Sequence, residues 1–333
     1  MKILVLGCGE MGIETVQDLA ANAPDVDSIL VATRSPDKAR ASLSQRLRIP
    51  ESLTFFRVDV SDEESVVSLM AGCDVAINCT GPNYLYELPV ARAALKARVP
   101  LVDLNDEYDI TPRMYELDTE AKAAGILLLF GLGGCPGINN VLVRAAADQL
   151  DSVEEIHTAW VMSGADPGGR ALSYHLLHSL SGPALTVMDG ALVEVESFID
   201  GREVQEFPDP VGPVEVFHVG HPEPLTLSRT FPSARTIDNK ATFIPSSVNL
   251  LIRTLGELQR RGPDRIPVHG RLVAVTDVMA GYLHRYCKSL SGVPPEAALR
   301  VTVSGRIRGR DKTIGFSSVG RLASATGIPA AIG

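Results

Sequence analysis

The first dozen residues constrain this chain more than any other stretch. Lys2 to Gly12 reads KILVLGCGEMG, and the unbroken apolar run Ile3, Leu4, Val5, Leu6 has the pattern of a strand buried on both faces of a parallel sheet. The run passes directly into Gly7-Cys8-Gly9-Glu10-Met11-Gly12, after which Ile13, Val16, Leu19 and Ala20 fall at helical spacing. Strand, glycine turn and helix in that order form a diphosphate cradle. Gly7 permits the tight turn, Gly9 lets the backbone approach a pyrophosphate, and Gly12 lets the helix lie close on the strand. The helix start, with Glu10 and Met11, adds free N–H groups and partial positive charge, so the segment is expected to hold a dinucleotide.

The pattern then repeats. Ser28–Thr33 (SILVAT), Leu53–Asp59 (LTFFRVD), Asp74–Cys79 (DVAINC), Pro100–Asn105 (PLVDLN) and Ile126–Gly131 (ILLLFG) read as further strands. Helices are expected between them over Asp62–Met70, with Ser61 as N-cap, and over Tyr86–Ala97 and Thr111–Ala124. Regular alternation of this kind predicts an N-terminal Rossmann domain, a doubly wound parallel sheet, over residues 1–131. The second strand ends where an adenine ribose would sit. A carboxylate there would favour a free 2′-hydroxyl, but the chain gives Thr33, Arg34, Ser35 and Lys38, which suit a 2′-phosphate. The expected cofactor is therefore NADP, with NAD possible. Asp59 and Val60 are placed to flank the adenine, and the loop Cys79, Thr80, Gly81, Pro82 to border the nicotinamide beyond the carboxyl ends of the strands.

Bulk properties bound the rest. A length of 333 residues suggests two domains. Residues 1–130 carry 12 Lys/Arg against 20 Asp/Glu, an acidic balance that argues against nucleic acid or an anionic membrane as partner. No apolar run reaches the length of a membrane span, and Lys2 leads straight into a strand, so a cytoplasmic location is expected. The cysteines, Cys8, Cys73, Cys79, Cys135 and Cys287, are odd in number and form no CxxC pair, which fits reduced thiols. A second glycine-rich element, Gly131-Leu132-Gly133-Gly134-Cys135-Pro136-Gly137-Ile138-Asn139-Asn140, precedes a helix and can hold a substrate carboxylate or serve as a hinge. Beyond it, Val153–Met162, Leu192–Ile199, Val214–Val219, Leu272–Thr276 and Leu299–Val303 read as strands. Helices are expected over Ser173–Met188 and Ser247–Arg260, and Gly305–Ser317 reads as a basic hairpin. Strands in succession predict a second, α+β domain on a mixed or antiparallel sheet over residues 132–305. A C-terminal segment, 306–333, is expected to return to the Rossmann domain.

Several motifs together carry a resemblance: the opening GxGxxG, INCTGP at Ile77–Pro82, LVDLND at Leu101–Asp106, GLGGCPGINN at Gly131–Asn140 and HPEPLTLSR at His221–Arg229. In this order they are similar to the saccharopine dehydrogenase family. The resemblance implies hydride transfer at a carbon–nitrogen bond of an amino-acid-like or polyamine substrate, and a second domain used for substrate contact and homodimerisation. Cys135 departs from members acting on saccharopine or carboxynorspermidine, which carry an acid there, so the likeness does not bring those two substrates with it.

Near the expected nicotinamide, Tyr84 and Asp103 are the catalytic candidates. Asp103 can take a proton from a substrate ammonium or bond local loop amides. Asn83, Asn105, Gly134, Pro136, Gly137 and Asn140 are candidate substrate contacts; Arg229 can grip a carboxylate from a strand end and His221 can lend a proton. The pairs His175/His178 and His218/His221 have metal-compatible spacing but no convincing third ligand, so no metal is expected. Reduction of a C=C or C=O bond on the same scaffold, or NADP sensing without turnover, are the competing readings.

Overall fold

The structure is a computed structural model and describes residues 1–166 and 168–333. The chain divides into two compact units, Met1–Gly137 with Ala323–Gly333, and Ile138–Leu322. The division falls inside the second glycine-rich element, six residues later than the expected boundary.

In the first unit, strands and helices alternate as β1 (Lys2–Leu6), α1 (Glu10–Asn22), β2 (Ser28–Thr33), α2 (Pro36–Ser44), β3 (Leu53–Arg57), α3 (Glu63–Met70), β4 (Val75–Asn78), α4 (Asn83–Ala97), β5 (Leu101–Asp103), α5 (Thr111–Glu116), α6 (Asp118–Ala124) and β6 (Leu128–Leu129). The strands form one sheet in the order β3-β2-β1-β4-β5-β6, every pairing parallel. Alternate residues of β1 serve opposite cores. Leu4 and Leu6 pack with Leu30, Val66 and Ala91 on one face, Ile3 and Val5 with Val16, Val31 and Leu43 on the other. Burial on both faces is why this strand reads as a continuous apolar run. Two local expectations are corrected. Asp62 caps α3, its carboxylate accepting from Ser65 N at 3.3 Å, while Ser61 instead bonds Asp59. The helix expected over Thr111–Ala124 is two short ones that meet at Leu117.

The second unit begins with α7 (Ile138–Ala147) and β7 (Ser152–Ser163), followed by α8 (Arg170–His178), β8 (Pro183–Met188), β9 (Ala191–Glu196), β10 (Glu203–Glu206), β11 (Pro213–His218), α9 (Glu223–Thr230) and β12 (Thr236–Ile244). It continues with α10 (Ser247–Arg261), β13 (Arg265–Val268), β14 (Arg271–Ala274), α11 (Val275–Ser289), β15 (Ala297–Ile307) and β16 (Arg310–Gly320). An eight-stranded mixed sheet runs β10-β11-β12-β7-β15-β16, with β8 pairing β12 and β9. The β12–β7 pairing is parallel and the others are antiparallel. The final helix, α12 (Leu322–Ile332), adds Ala330 to the apolar cluster of Ile3 and Val5 in the first unit. There Gly327 lies so close to α1 that a Cβ would come within 2.4 Å of the Met11 carbonyl oxygen.

Several second-unit expectations are overturned. A helix cannot run through Pro183, which has no N–H, and the one expected over Ser173–Met188 ends at His178 before the chain returns as β8. The strand expected over Leu272–Thr276 ends at Ala274, and Val275 already begins a helix that runs to Ser289. No strand is expected over Thr236–Ile244, yet β12 occupies the middle of the sheet although its sequence TIDNKATFI carries three strand-averse polar residues. Those residues are buried and paired across the sheet: Asp238 with His157 Nδ1 at 3.0 Å, Lys240 with Glu203 at 2.9 Å, and Asn239 Oδ1 accepting from the Thr158 hydroxyl at 2.9 Å. The apolar side of β12 is anchored by Ile237, fully buried among Ile156, Val187, Leu227 and Val301. Ile237→Ala is accordingly expected to cost about 2–5 kcal/mol, read from the midpoint of urea unfolding, and a loss under ~1 kcal/mol would contradict this packing.

Candidate functional site

In the first unit the site is built at the carboxyl ends of β1, β4 and β5. Gly7 has a left-handed φ of 85°, and a Cβ on it would lie 2.7 Å from the Cys79 carbonyl oxygen. Gly12 faces a tighter limit: a Cβ there would meet the Gly7 carbonyl oxygen at 2.2 Å. Gly9, between them, has nothing within 4 Å of its Cβ position. Two of the three glycines thus close the turn, and the third leaves open space before the α1 N-terminus. Gly9 caps that helix without any side-chain hydrogen bond, and the first N–H with an intrahelical acceptor is that of Ile13. The N–H groups of Glu10 and Met11 point where a diphosphate would sit.

Beyond β2, Arg34, Ser35 and Lys38 are exposed, and Arg34 makes no hydrogen bond or ion pair among the described residues. Ser35 caps α2 without a side-chain bond. Asp59, across the crevice, is held below the usual carboxylate range by hydrogen bonds from the Ser61 hydroxyl and backbone N–H, with Arg34 adding a weaker electrostatic contribution. A free guanidinium beside a solvent-open ribose position fits a 2′-phosphate. Thr33 and Val60 lie at the adjoining strand end, Val60 within the core.

The β4 loop closes the other side. Asn78 Oδ1 accepts from Thr80 N at 3.1 Å and from Thr80 Oγ1 at 2.5 Å, which fixes Cys79, Thr80, Gly81 and Pro82 at the start of α4. Burial pushes the Cys79 thiol up to about 12 and the Cys8 thiol to about 11, so both stay neutral and neither is a nucleophile at physiological pH. Asn83 Nδ2 donates to Leu104 O and to Asp106 Oδ1, each at 3.0 Å, tying this loop to the one after β5. Tyr84, in the first turn of α4, is half-buried against the first apolar core.

Asp103 sits at the end of β5 at 1% exposure. Its Oδ1 accepts from Asn105 N at 2.7 Å and Gly131 N at 3.1 Å, which anchors the second glycine element to the sheet. Asn105 is likewise enclosed, its amide donating to Thr111 Oγ1 at 3.2 Å and its oxygen accepting from Glu107 N at 3.2 Å. Among the described residues the other Asp103 oxygen has no donor in reach except Glu87, a carboxyl that is also 1% exposed and whose Oε2 accepts from Asn78 Nδ2 at 3.2 Å. Two carboxylates this close in the interior cannot both ionise. Desolvation, then the Asp103 charge, raises the Glu87 carboxyl well above the usual range, and the proton it keeps bridges to Asp103. Desolvation also raises Asp103, against the opposing hydrogen bonds from Glu87 and the two loop amides. Glu87 escaped the sequence reading, although it shares one helical face with Val90, Ala91 and Ala94, all buried. An acid on such a face was the available signal.

Within the glycine element, Gly133 N donates to Pro136 O at 3.0 Å, and a Cβ on Gly137 would strike the Gly133 carbonyl oxygen at 2.2 Å. Gly134 and Pro136 lie in that tight loop, with Gly134 packed on Ala325. In the second unit, Asn140 Nδ2 donates to Thr226 Oγ1 at 3.0 Å and Asn139 Nδ2 to Glu223 Oε1 at 2.6 Å. Glu223 Oε2 meets His221 Nδ1 at 2.7 Å. Asn140 and His221 are thereby brought to the start of α9, with Asn139 and Glu223 as the partners that sequence reasoning missed. Arg229 is corrected from a strand end to the last, exposed turn of α9, about 120° round the helix from Glu223. His221 also packs against His175, ring centroids 5.8 Å apart at 85°.

The first unit has the fold and the glycine turn of a dinucleotide-binding α/β domain. Residues 3–129 match the family model of the saccharopine dehydrogenase NADP binding domain. Among relatives, the chain is 27% identical over 158 residues to the Saccharomyces cerevisiae saccharopine dehydrogenase [NADP(+), L-glutamate-forming], covering 47% of this chain and 31% of that protein. It is 26% identical over 224 residues to the mitochondrial alpha-aminoadipic semialdehyde synthase of Bos taurus, covering 65% of this chain and 23% of that one. These matches span less than a third of the relatives' own length. Among solved structures, apo saccharopine dehydrogenase (L-Glu forming) from S. cerevisiae aligns over 99% of this chain and 89% of its own, with a TM-score of 0.69 at 16% identity. The fold of both units is thus one already seen in that enzyme.

The shared proton generates a prediction. A carboxyl whose folded-state pKa lies above its unfolded value stabilises the fold at acid pH, and that contribution is lost as pH rises through the folded value. Glu87→Gln keeps a neutral donor to Asp103, so its unfolding free energy is expected to match wild type near pH 4.5, the ordinary value of the group, and to gain on it as pH rises above that. Urea titrations across that range measure the difference. A constant gap, or a variant that loses ground as pH rises, would show that Glu87 is ionised.

Proposed function

We propose that this chain is an NADP-dependent oxidoreductase of the saccharopine dehydrogenase type, transferring hydride at a carbon–nitrogen bond of an amino-acid-like or polyamine substrate. The observation that carries the reading is the β1–α1 turn, open at Gly9, with an Arg34 that makes no ion pair among the described residues at the ribose end, in a domain that matches an NADP-binding family model. When bound, the dinucleotide supplies the hydride chemistry. The chain's own residues bind and orient. Gly9 and the N–H groups of Glu10 and Met11 take the diphosphate, and Arg34, Ser35, Lys38 and Thr33 surround the 2′-phosphate. Asp59 and Val60 flank the adenine. Cys79, Thr80, Gly81 and Pro82 border the nicotinamide, with Tyr84 beside them.

Asp103, being enclosed and bonded to loop amides, is assigned to holding the loops in place together with Asn105, rather than to taking a substrate proton. Substrate selection is assigned to Asn83, Gly134, Pro136 and Gly137 in the first unit and to Asn140, His221 and Arg229 in the second. Among the described residues no helix is long and apolar enough to cross a membrane. The chain is assigned as a homodimer that works in the cytoplasm on a small molecule. Light scattering tests the dimer.

Fluorescence titration with NADPH and NADH, followed by absorbance of the reduced ring with a panel of amines and oxo acids, tests the reading. Failure to bind either cofactor overturns it. Arg34→Glu is expected to weaken NADPH roughly 10²-fold and NADH far less, and equal effects would remove Arg34 from the phosphate site. Gly9→Ala and Gly12→Ala should also separate. The first is expected to keep the unfolding midpoint and lose about tenfold in NADPH affinity. The second should lose about 1–3 kcal/mol of stability because its methyl strikes backbone.

A further inference from the structure

Glu223 is 0% exposed, and a carboxylate buried so completely is tolerated only when its lone pairs are answered. Asn139 Nδ2 answers Oε1 at 2.6 Å and His221 Nδ1 answers Oε2 at 2.7 Å. Glu223 also stands in the first turn of α9, where the helix dipole favours negative charge. A carboxylate oxygen only accepts, so His221 Nδ1 must carry the hydrogen of their bond. In the neutral ring the lone pair then lies on Nε2. Trp160 packs beside the ring at 5.5 Å and His175 stands nearly perpendicular at 5.8 Å, which hinders a half-turn that would put Cδ2 in the place of Nδ1 against Glu223.

We propose that Glu223 is the positioning residue that fixes His221 as its Nδ1–H tautomer, leaving Nε2 as the atom that carries a proton to and from the substrate nitrogen, with Asn139 holding Glu223 in place. The inference rests on the reading of the chain as an amine oxidoreductase. In the oxidative direction Nε2 takes a proton from the substrate ammonium. The N–H electron pair stays on nitrogen, and the amine is left neutral for loss of hydride from its carbon. In the reductive direction the same proton returns. Proton movement is all that is assigned to this pair, and it consumes no oxidant. Orientation of an imidazole by a buried carboxylate is a general way to set which nitrogen reacts.

The test uses the full chain labelled with 15N-histidine, with His221 identified by the signals missing from His221→Gln. Long-range 1H–15N correlation is expected to show neutral His221 protonated on Nδ1 in wild type. In Glu223→Gln, where Asn139 already donates to the amide oxygen, the glutamine NH2 is left to donate to the ring, and the Nε2–H form is expected. NADPH affinity should stay within twofold. The kcat for NADP reduction with the best amine of the panel should fall about 10²-fold with KM moving less, and Glu223→Asp should recover part of it. Should Glu223→Gln not fold, Asn139→Ala, which keeps the carboxylate but frees it, should lower kcat about tenfold. A wild-type ring protonated on Nε2, or a tautomer and kcat unchanged by Glu223→Gln, overturns the proposal. An enzyme that binds NADPH but turns over no amine overturns the functional reading instead, and the tautomer still decides the role of Glu223.

Discussion

The first unit depends on one close approach of backbone to backbone. Gly12 lies against the Gly7 carbonyl with no room for a single added carbon, and Gly7 lies as tightly against the end of β4. Because both contacts are made by main chain, α1 is drawn down onto the sheet and its N-terminus is aimed across the turn at a fixed point. Gly327 repeats the device on the outer side of α1, where the Thr15 hydroxyl donates to its carbonyl at 2.8 Å. Helix α1 is thus clamped by glycines at both contacts, and only the Gly9 position is left free to admit a ligand.

Around that clamp, geometry is set by buried carboxyl groups used in two ways. Glu87 and Asp103 hold one proton between them and reach three segments at once: Asn78 with the β4 loop, Asn105 after β5, and Gly131 in the second glycine element. In the second unit Glu223 does the same with Asn139 and His221. An enclosed carboxyl that loses a partner is left uncompensated at a cost of several kcal/mol, so each acts as a rigid joint between loops that lack regular structure of their own. The first pair lowers its cost by giving up one charge, and Glu223 by accepting donors on both oxygens at a helix start.

What a sequence discloses follows the range of the forces involved. The glycine turn was legible because its constraint is local: a strand, a turn and a helix within a dozen residues leave few other geometries for GxGxxG. Parallel strands buried on two faces also announce themselves, which is why the order of elements in the first unit came through, with differences at element ends, as at Ser61 and in the short β6, and at the helix break at Leu117. Asp103 was noticed from its place at a strand end, but whether it meets a substrate or loop amides turned on what Glu87 and Gly131 bring to it from 16 and 28 residues away.

By itself, then, the sequence determined the double-faced sheet, the diphosphate turn and the basic side chains past β2, because each is written in neighbouring residues whose spacing admits one arrangement. Only the tertiary structure decided the place of β12, the helical setting of Arg229 and the union of Asn139, Glu223 and His221. The physical reason is the same in each case. Polar residues with poor local preference for their element become favourable when distant partners satisfy them out of water, and a linear pattern holds no record of which partner will arrive.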